Sequence, residues 1–360
     1  MSTPAFSTAG LRRALVIKLR HHGDVLLAAP VLSTLKRHAP ACEVDALVYA
    51  DTAPMLEGHP ALSQLHLIDR NWKRQGLKRQ TGAEWRLIRA LRARRYDLVV
   101  HLSVHTRGAW LVRLLRPRWS VAPKFRAGFW EKSFTHLYPA QSHPDRHTVD
   151  TNLDSLRALG IQPTPQDMRV SLVPGAAADA RIAQLLAAHG LVAGRFIHVH
   201  PASRWGFKCW PAERVATLCD ELAARGWPLV LSCAPDAKEK ELLAAVIAAR
   251  RPGTPPALDL SGQLSLKELA ALAVRARLFV GVDSAPMHIA AAMGTPTIGI
   301  FGPSGDSEWG PWGEGHRVVA SLNHPCRPCG RAGCDDSKVS ECLTTLPVSQ
   351  VLAACEELLA

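Results

Sequence analysis

Apolar residues in this chain follow two alternating patterns. Short uninterrupted runs are typical of strands buried on both faces of a parallel sheet, and an apolar residue every three or four positions is typical of a helix packed against one. The runs predict strands at residues 14–19, 43–48, 64–68, 97–101, 195–200, 228–232, 258–260, 278–282 and 297–301, and the less regular residues 116–139 predict late strands and loops near a cleft. Helical spacing predicts a helix after the first strand, with Pro30 either in its first turn or at a kink. Further helices are predicted at residues 83–95, 145–160, 180–189, 211–225, 237–249 and 266–274. Strands that alternate with helices are joined by right-handed parallel crossovers, so the pattern predicts an α/β protein with doubly wound parallel sheets.

The strand–helix pattern occurs twice, and a proline-rich stretch at residues 161–178 separates the two occurrences. A chain of 360 residues is long enough for two domains. We therefore predict two Rossmann-like domains, at residues 11–170 and 176–346, whose parallel sheets face each other across a cleft. Residues 347–360 are predicted to form a last helix that braces the two domains.

Polar side chains follow several predicted strands at the point where each strand ends. Four such stretches stand out, at residues 18–24, 198–208, 283–288 and 302–305. Ligands of open α/β sheets bind beyond the carboxyl ends of the strands, so these stretches are candidates for a binding site. No G-x-G-x-x-G follows a strand and no G-x-x-x-x-G-K-[ST] occurs, which disfavours a dinucleotide-dependent dehydrogenase and a P-loop enzyme.

The stretch after the eighth predicted strand has the features of an anion site. Asp283 and Ser284 end the apolar run, and a helix of small residues begins at Ala285. The first N–H groups of a helix, here those of Ala285 and Met287, have no partner within the helix, and the helix dipole favours negative charge. His288 lies four residues after Ser284 and therefore on the same helix face.

The chain carries a formal net charge of +12, with 47% apolar and 21% charged residues, which is the composition of a folded globular protein. The positive charge is densest at residues 70–95. Nucleic acid, an anionic membrane surface or a phosphorylated substrate would each account for it, and a solvated helix face is the alternative. The density of the segment favours a functional basic surface.

No run of the sequence approaches the roughly 18–20 apolar residues that span a bilayer, and residues 1–10 lack the features of a signal peptide. We therefore expect the protein in the cytosol. In that compartment the nine cysteines of the chain argue against a disulfide framework.

Four cysteines form a cluster with the spacing C-x2-C-x4-C-x7-C, namely Cys326, Cys329, Cys334 and Cys342. Four thiolates among small turn residues resemble a structural metal site, for which zinc is the usual occupant in a cytosolic protein. An iron–sulfur cluster, reduced thiols and a disulfide formed after purification are the alternatives. Four thiolates would leave no open position on a metal ion, so we expect no catalytic role for it.

Five motifs carry a family resemblance that covers nearly the whole chain. They are V-I-K-L-R-H-H-G-D at residues 16–24, R-W-G-F-K-C-W-P at 204–211, S-G-Q-L-S-L at 261–266, G-V-D-S-A-P-M-H at 281–288 and F-G-P-S at 301–304. In this order they resemble the ADP-heptose:lipopolysaccharide heptosyltransferases, inverting enzymes of glycosyltransferase family 9 with the two-domain GT-B fold. The first two motifs are most similar to the heptosyltransferase III branch.

The resemblance implies an acceptor side in the first domain. It places Asp24 at the position of the base that takes the proton of the acceptor hydroxyl. The alternative for this residue is a helix cap, for which aspartate is a preferred side chain. The residues expected to contact the acceptor are Lys18, Arg20, His21 and His22.

The resemblance also implies a donor side in the second domain. Lys208, assisted by Ser203 and Arg204, would stabilise the charge of the departing ADP. The alternative for Lys208 is an ordinary solvated lysine. The other expected donor contacts are Asp283, Ser284, Ala285, Met287, His288 and Gly302. For Asp283 and His288 a helix cap and an inward-facing helix residue are the alternatives.

An acidic residue that follows the strand at residues 228–232 contacts the nucleoside in this family. Here Ala237 occupies the matching position, so the resemblance leaves Asp236 or Glu239 as its substitute.

The resemblance implies that heptose moves from ADP-heptose to the inner core of lipopolysaccharide, with no cofactor for catalysis. Because the acceptor lipid is anchored in the inner membrane, we expect a cytoplasmic enzyme in peripheral contact with the anionic membrane surface. One alternative is a sugar-nucleotide epimerase of the same architecture, which would turn over ADP-heptose alone. The other is a basic nucleic-acid-binding protein, whose binding would weaken steeply with salt.

Overall fold

The computed structural model describes residues 6–74, 76–139 and 145–360. The chain folds into two compact units, one that ends at Val173 and one that runs from Pro174 to Ala360. Within the described residues each unit holds a six-stranded sheet in which neighbouring strands are parallel. This confirms the predicted α/β class with two parallel sheets.

The sheet of the first unit has the strand order β3-β2-β1-β4-β5-β6, which is the order of a Rossmann sheet. Its strands are β1 (Arg13–Ile17), β2 (Glu43–Tyr49), β3 (Gln64–Ile68), β4 (Leu98–His101), β5 (Trp119–Pro123) and β6 (His136–Tyr138). Its helices are α1 (His22–Leu26), α2 (Ala29–His38), α3 (Leu77–Arg94), α4 (Thr106–Leu115) and α5 (Thr148–Arg157).

The second unit repeats this connectivity, with the strand order β12-β11-β10-β7-β8-β9. Its strands are β7 (Ile197–His200), β8 (Leu229–Cys233), β9 (Leu258–Ser261), β10 (Leu278–Val282), β11 (Thr297–Phe301) and β12 (His316–Ala320). Its helices are α6 (Ala176–Ala188), α7 (Ala212–Ala224), α8 (Ala237–Ala248), α9 (Leu266–Ala273), α10 (Ala285–Ala292), α11 (Asp306–Trp309), α12 (Glu341–Thr344) and α13 (Val348–Leu359). Of the helices in the described ranges, none combines the length and the apolarity needed to cross a membrane.

Local sequence signals explain several boundaries. The helix predicted to contain Pro30 is two helices, and Pro30 lies in the first turn of α2, where the missing proline N–H costs no hydrogen bond. Helix α9 begins at a capping box, since the Ser265 hydroxyl accepts the N–H of Glu268 and the Glu268 carboxylate accepts the N–H of Ser265. Strand β12 and helix α4 were not predicted.

The last helix, α13, packs against α7 and against β10, β11 and β12, which all belong to the second unit. Val351 and Cys355 on α13 are fully buried in that core, beside Trp210 and Leu222. Burial of each large apolar side chain contributes on the order of 1.5–3 kcal/mol. The core therefore anchors α13 to the second sheet. Its predicted role as a brace between the domains stays a prediction.

A close packing contact in the first unit gives a stability prediction. Gly108 lies in the first turn of α4, and a Cβ atom there would come within 1.7 Å of Nε2 of the fully buried His101. We expect Gly108→Ala to lower the free energy of unfolding by about 1–3 kcal/mol, because the ring has no room to move away. Urea denaturation of both proteins measures this difference.

The matched control is Gly82→Ala in α3, where the nearest atom to the new Cβ is 3.9 Å away. Alanine is about 0.5–1 kcal/mol better than glycine inside a helix, so this variant should be as stable as the wild type or more stable. Equal stabilities for the two variants would contradict the packing argument.

Candidate active site

Asp24 lies in the first turn of α1, directly after β1. Its Oδ2 accepts the N–H of His21 at 3.3 Å, and its Oδ1 lies 3.6 Å from Nε of Arg20 and 4.0 Å from Nζ of Lys18. The N-cap residue of α1 is therefore His21 and not Asp24; the Asp24 carboxylate, at the third helical position, accepts the N–H of that cap residue and also lies beside two cations. This hydrogen bond does not exclude a second role, since each carboxylate oxygen has two lone pairs.

Lys18 is not an exposed contact residue but a buried one, with 6% of its surface accessible. Its Nζ donates to the carbonyl of Leu102 at 3.2 Å and to Oδ1 of Asn152 at 3.1 Å. Asn152, in turn, donates to the carbonyl of Leu27 at 3.0 Å. Burial lowers the pKa of Lys18 to about 8, against the opposing effect of Asp24. The geometry suits a residue that orients Asp24 rather than one that contacts a substrate directly.

The neighbouring residues of this loop are more accessible. Nε2 of His22 lies 2.9 Å from the carbonyl of Asp51, and the carbonyl of Arg20 accepts from Arg70 at 2.8 Å. The Arg70 guanidinium also lies 3.8 Å from the ring centroid of Tyr49. A cavity of about 220 Å³ opens here, lined by Tyr49, Ile68, Asp69, Arg70, Trp72, Glu84, His105 and Arg107. The sequence placed Arg70 in a basic segment but did not indicate this cavity.

In the second unit the predicted residues Lys208 and Asp283 form an ion pair, with 2.5 Å between Nζ and Oδ2. Lys208 ends a short 3-10 turn (Gly206–Lys208) after β7, and Asp283 follows β10. The two residues meet because β7 and β10 are neighbours in the sheet. The Asp283 side chain is only 7% exposed and that of Lys208 23%, so Lys208 is not an ordinary solvated lysine.

The N-terminus of α10 follows Asp283. Ser284 is its N-cap residue, and within the described part of the chain its buried Oγ has no hydrogen-bond partner. The N–H of Met287 donates to the carbonyl of Ser284 at 3.2 Å, so this N–H already has an acceptor. The buried His288 ring lies 6.5 Å from the ring of Trp309, between centroids, in an edge-on arrangement. Ser284 and Ala285 are therefore the better placed of the predicted anion contacts.

Two further residues predicted to assist Lys208 lie on the loop before it. The Ser203 hydroxyl accepts the N–H of Trp205 at 3.4 Å, and the Arg204 guanidinium lies 5.5 Å from the centroid of the Trp205 ring. Arg204 and Trp205 are exposed. Both predicted residues are thus on the same loop as Lys208, with an aromatic ring beside them.

The two acidic residues after β8 that are candidates for the nucleoside contact have different positions in the structure. Asp236 caps α8, since its Oδ1 accepts the N–H groups of Lys238 and Glu239. The Glu239 carboxylate turns back to the end of β8 and accepts the N–H of Ala234 at 2.9 Å. Burial raises the pKa of Glu239. Of the two, only Glu239 has its carboxylate directed to the strand end.

Two buried histidines of the candidate stretch at residues 198–208 were not among the predicted site residues. Nε2 of His198 and Nδ1 of His200 lie 2.7 Å and 2.9 Å from the Ser232 hydroxyl. Burial lowers the pKa of both rings to about 3, so both are neutral. Because the hydroxyl has a single hydrogen to donate, at most one ring can accept from it and at least one ring must donate its N–H to it. Nε2 of His200 lies 4.0 Å from the Glu239 carboxylate, so this network borders the proposed nucleoside contact.

The four clustered cysteines do not form the predicted zinc site. In the parts of the chain that the structure describes, no three His, Cys, Asp or Glu side chains are placed to hold a metal ion. Cys326 and Cys329 are exposed, Cys334 is half-buried and Cys342 is buried, and all are free thiols. Zinc needs four ligand atoms within about 2.3 Å of one point. The sequence spacing was compatible with this, but the side chains do not converge.

The buried Lys18 gives a pH prediction. Its pKa is about 8 in the folded protein and lies at the ordinary value of 10.5 in the unfolded chain. Between these values the unfolded chain binds more protons than the folded protein, so rising pH favours folding. We expect the free energy of unfolding of the wild type, relative to Lys18→Met, to increase from pH 8 to pH 10.5. Urea denaturation at several pH values measures it, and a flat difference would contradict burial of the ammonium group.

Comparison with known proteins agrees with the fold and the family resemblance described above. Residues 84–340 match glycosyltransferase family 9 (heptosyltransferase). The chain is 37% identical to lipopolysaccharide heptosyltransferase 3 of Escherichia coli (strain K12), over 95% of this chain and 96% of the relative. It is similar in structure to a family 9 glycosyl transferase from Veillonella parvula DSM 2008, with a TM-score of 0.83, 22% identity and 97% of each chain covered.

A further structural neighbour is the ADP-heptose lps heptosyltransferase II of E. coli, with a TM-score of 0.76 and 20% identity. That similarity covers 96% of this chain and 98% of the other. These similarities show the GT-B fold, and the first two comparisons show the family. The chain belongs to glycosyltransferase family 9, the heptosyltransferases.

Proposed function

We propose that this heptosyltransferase moves heptose from ADP-heptose to the inner core of lipopolysaccharide, with inversion at the anomeric carbon. The observation that carries the proposal is the Lys208–Asp283 pair beside the buried hydroxyl of Ser284, at the N-terminus of α10. A cation next to a helix N-terminus suits a diphosphate. The names of the relatives, lipopolysaccharide heptosyltransferase 3 and ADP-heptose lps heptosyltransferase II, support this donor and this acceptor.

On the donor side, Lys208 would bind the diphosphate in place of Asp283 when the donor binds, and would then stabilise the negative charge that develops on the leaving ADP. The hydroxyl of Ser284 and the N–H of Ala285 would bind the same phosphates, with Gly302 in the turn after β11. Donors that are already oriented stabilise such a charge without reorganisation. Glu239, at the end of β8, would bind the nucleoside.

On the acceptor side, Asp24 would act as the base. The acceptor hydroxyl oxygen attacks the anomeric carbon while its proton passes to Asp24, and the bond to the β-phosphate oxygen breaks with its electrons on ADP. Direct displacement from the opposite face inverts the configuration. Arg20, His21 and His22 surround Asp24 and would contact the anionic groups of the acceptor. The reaction uses no cofactor.

Membership of family 9 favours a transferase over both alternatives, the epimerase and the nucleic-acid-binding protein. The transferase also accounts for two separate sets of polar strand ends, one in each unit. An epimerase would need no large basic acceptor surface.

The central test is Asp24→Asn. The amide keeps the size of the side chain but cannot take a proton, so we expect kcat to fall by about 10²–10⁴-fold, with a smaller change in the KM for ADP-heptose. Transfer from ADP-heptose to a truncated core acceptor, followed by ADP release, measures both constants. Omission of the acceptor should abolish turnover, whereas an epimerase would retain it.

The matched control is Asp179→Asn, the same substitution at an exposed residue that pairs with Arg275. It should transfer heptose at the wild-type rate. If Asp24→Asn does so too, Asp24 is not the base.

We further propose that the first unit contacts the anionic membrane surface through α3, α4 and residues 124–129. The exposed face of α3 carries Arg86, Arg89 and Arg92 beside Trp85, which is 64% exposed. On α4, Trp110 is 59% exposed, and its ring lies 4.6 Å from that of Phe129, between centroids. Exposed aromatic rings among arginines are typical of surfaces that enter the headgroup region of a membrane.

A vesicle experiment tests this surface. The protein should sediment with vesicles that contain phosphatidylglycerol and not with pure phosphatidylcholine vesicles, and high salt should weaken the binding. The double variant Trp110→Ser, Phe129→Ser should bind less at every salt concentration because it loses the apolar part of the contact. The control is Trp205→Ser, which removes an exposed tryptophan from the second unit. Equal binding of all three proteins would contradict the assigned surface.

A further inference from the structure

Residues 321–346, between β12 and α13, carry the four clustered cysteines and contact two loops of the donor side. We call residues 321–346 the cysteine segment, residues 203–210 the Lys208 loop and residues 302–305 the Gly302 loop. Most of the cysteine segment is neither helix nor strand. Its side chains and carbonyl groups nevertheless make specific contacts with both loops.

Arg327 connects the cysteine segment to the Gly302 loop. Its Nε donates to the carbonyl of Gly302 at 2.6 Å, Nη1 donates to the carbonyl of Ser321 at 3.3 Å and Nη2 to Oδ1 of Asp306 at 3.3 Å. The side chain is 9% exposed. A planar guanidinium that is buried with three acceptors fixes their relative positions, and hydrogen bonds from a charged donor are the stronger ones.

Two further contacts hold the same loop. The N–H of Gly330 donates to the carbonyl of Pro303 at 2.9 Å. Leu343 packs so closely over Gly302 that a Cβ atom there would lie 2.6 Å from its Cδ1. The cysteine segment therefore fixes the backbone of the Gly302 loop, and its Leu343 leaves room only for glycine at position 302.

Ser340 connects the cysteine segment to the Lys208 loop. Its hydroxyl donates to the carbonyl of Phe207, the residue before Lys208, at 2.7 Å, and it is 4% exposed. At the end of the loop the carbonyl of Leu346 accepts Nε1–H of Trp210 at 3.2 Å. Lys208 is thus held between two contacts from the same segment.

We infer that the cysteine segment is the common support of the donor site, and that Arg327 and Ser340 are positioning residues for the Gly302 and Lys208 loops. The inference rests on the proposed function, in which Lys208 and Gly302 contact the donor. Neither Arg327 nor Ser340 needs to touch ADP-heptose. Each acts through a backbone carbonyl of a loop that does.

We expect substitutions of the two residues to have different kinetic effects. Arg327→Ala frees the Gly302 loop, so the KM for ADP-heptose should rise about tenfold with a smaller change in kcat. Ser340→Ala removes the bond beside Lys208, which acts as the leaving group departs, so kcat should fall about tenfold with KM changed less. Ser340→Thr keeps the hydroxyl and should recover most of the lost rate.

Amide hydrogen exchange locates each effect directly. Exchange should accelerate at residues 302–305 in Arg327→Ala and at residues 203–210 in Ser340→Ala, with the rest of the second unit unchanged. Hydrogen exchange is measured without donor or acceptor, so it tests the inference even if the wild-type protein transfers no heptose. A wild-type protein that transfers no heptose would contradict the proposed function only.

Matched controls come from the same segment. Arg331→Ala removes an exposed arginine, and Ser337→Ala removes a hydroxyl that donates to the carbonyl of Val339. Both should show wild-type kinetics and exchange. Wild-type kinetics and exchange in Arg327→Ala and Ser340→Ala would overturn the inference. If Arg327→Ala does not fold, Arg327→Lys replaces it, and a wild-type KM and wild-type exchange in this variant overturn the inference equally.

Discussion

The proposed donor site depends on one ion pair between residues that are 75 positions apart, Lys208 and Asp283. They meet because β7 and β10 are adjacent and parallel, so the loops at their carboxyl ends lie side by side. Leaving one of two partly buried charges without its partner costs several kcal/mol, so the pair holds each loop in place. A diphosphate that binds Lys208 would replace an existing carboxylate partner, which keeps the cation in position before the donor arrives.

The first unit also places charged side chains after its strands, but in a different arrangement. Lys18 follows β1 and lies in a buried site formed by Leu102 and Asn152, and Asp24 lies at the edge of that site. A buried ammonium group with two fixed acceptors cannot turn toward solvent, so it has a single orientation relative to Asp24. The more accessible cations, Arg20 and Arg70, remain on the outside of the loop. Buried groups thus orient the proposed base, and the exposed cations remain accessible to the proposed anionic acceptor.

Much of the architecture was predictable from the sequence because a buried strand is visible there as an uninterrupted run of apolar residues. The nine predicted strands are present, since an uninterrupted apolar run is a local property. Strand β12 was missed because two of its residues are exposed and its apolar run is short, as expected at a sheet edge. Helix α4 was missed because Gly108, a poor helix residue, lies in its first turn, where the close approach of His101 requires it.

The sequence by itself determined the two parallel sheets, the polar strand ends, the family motifs and the excess of positive charge, all of which follow from residue type and spacing along the chain. Only the tertiary structure decided which groups meet. It buried Lys18, engaged the N–H of Met287, left Asp236 as a helix cap and turned Glu239 to the strand end. It also kept the four cysteines from converging on one point. Hydrogen bonds and ion pairs depend on contacts between distant segments, and periodicity carries no information about them.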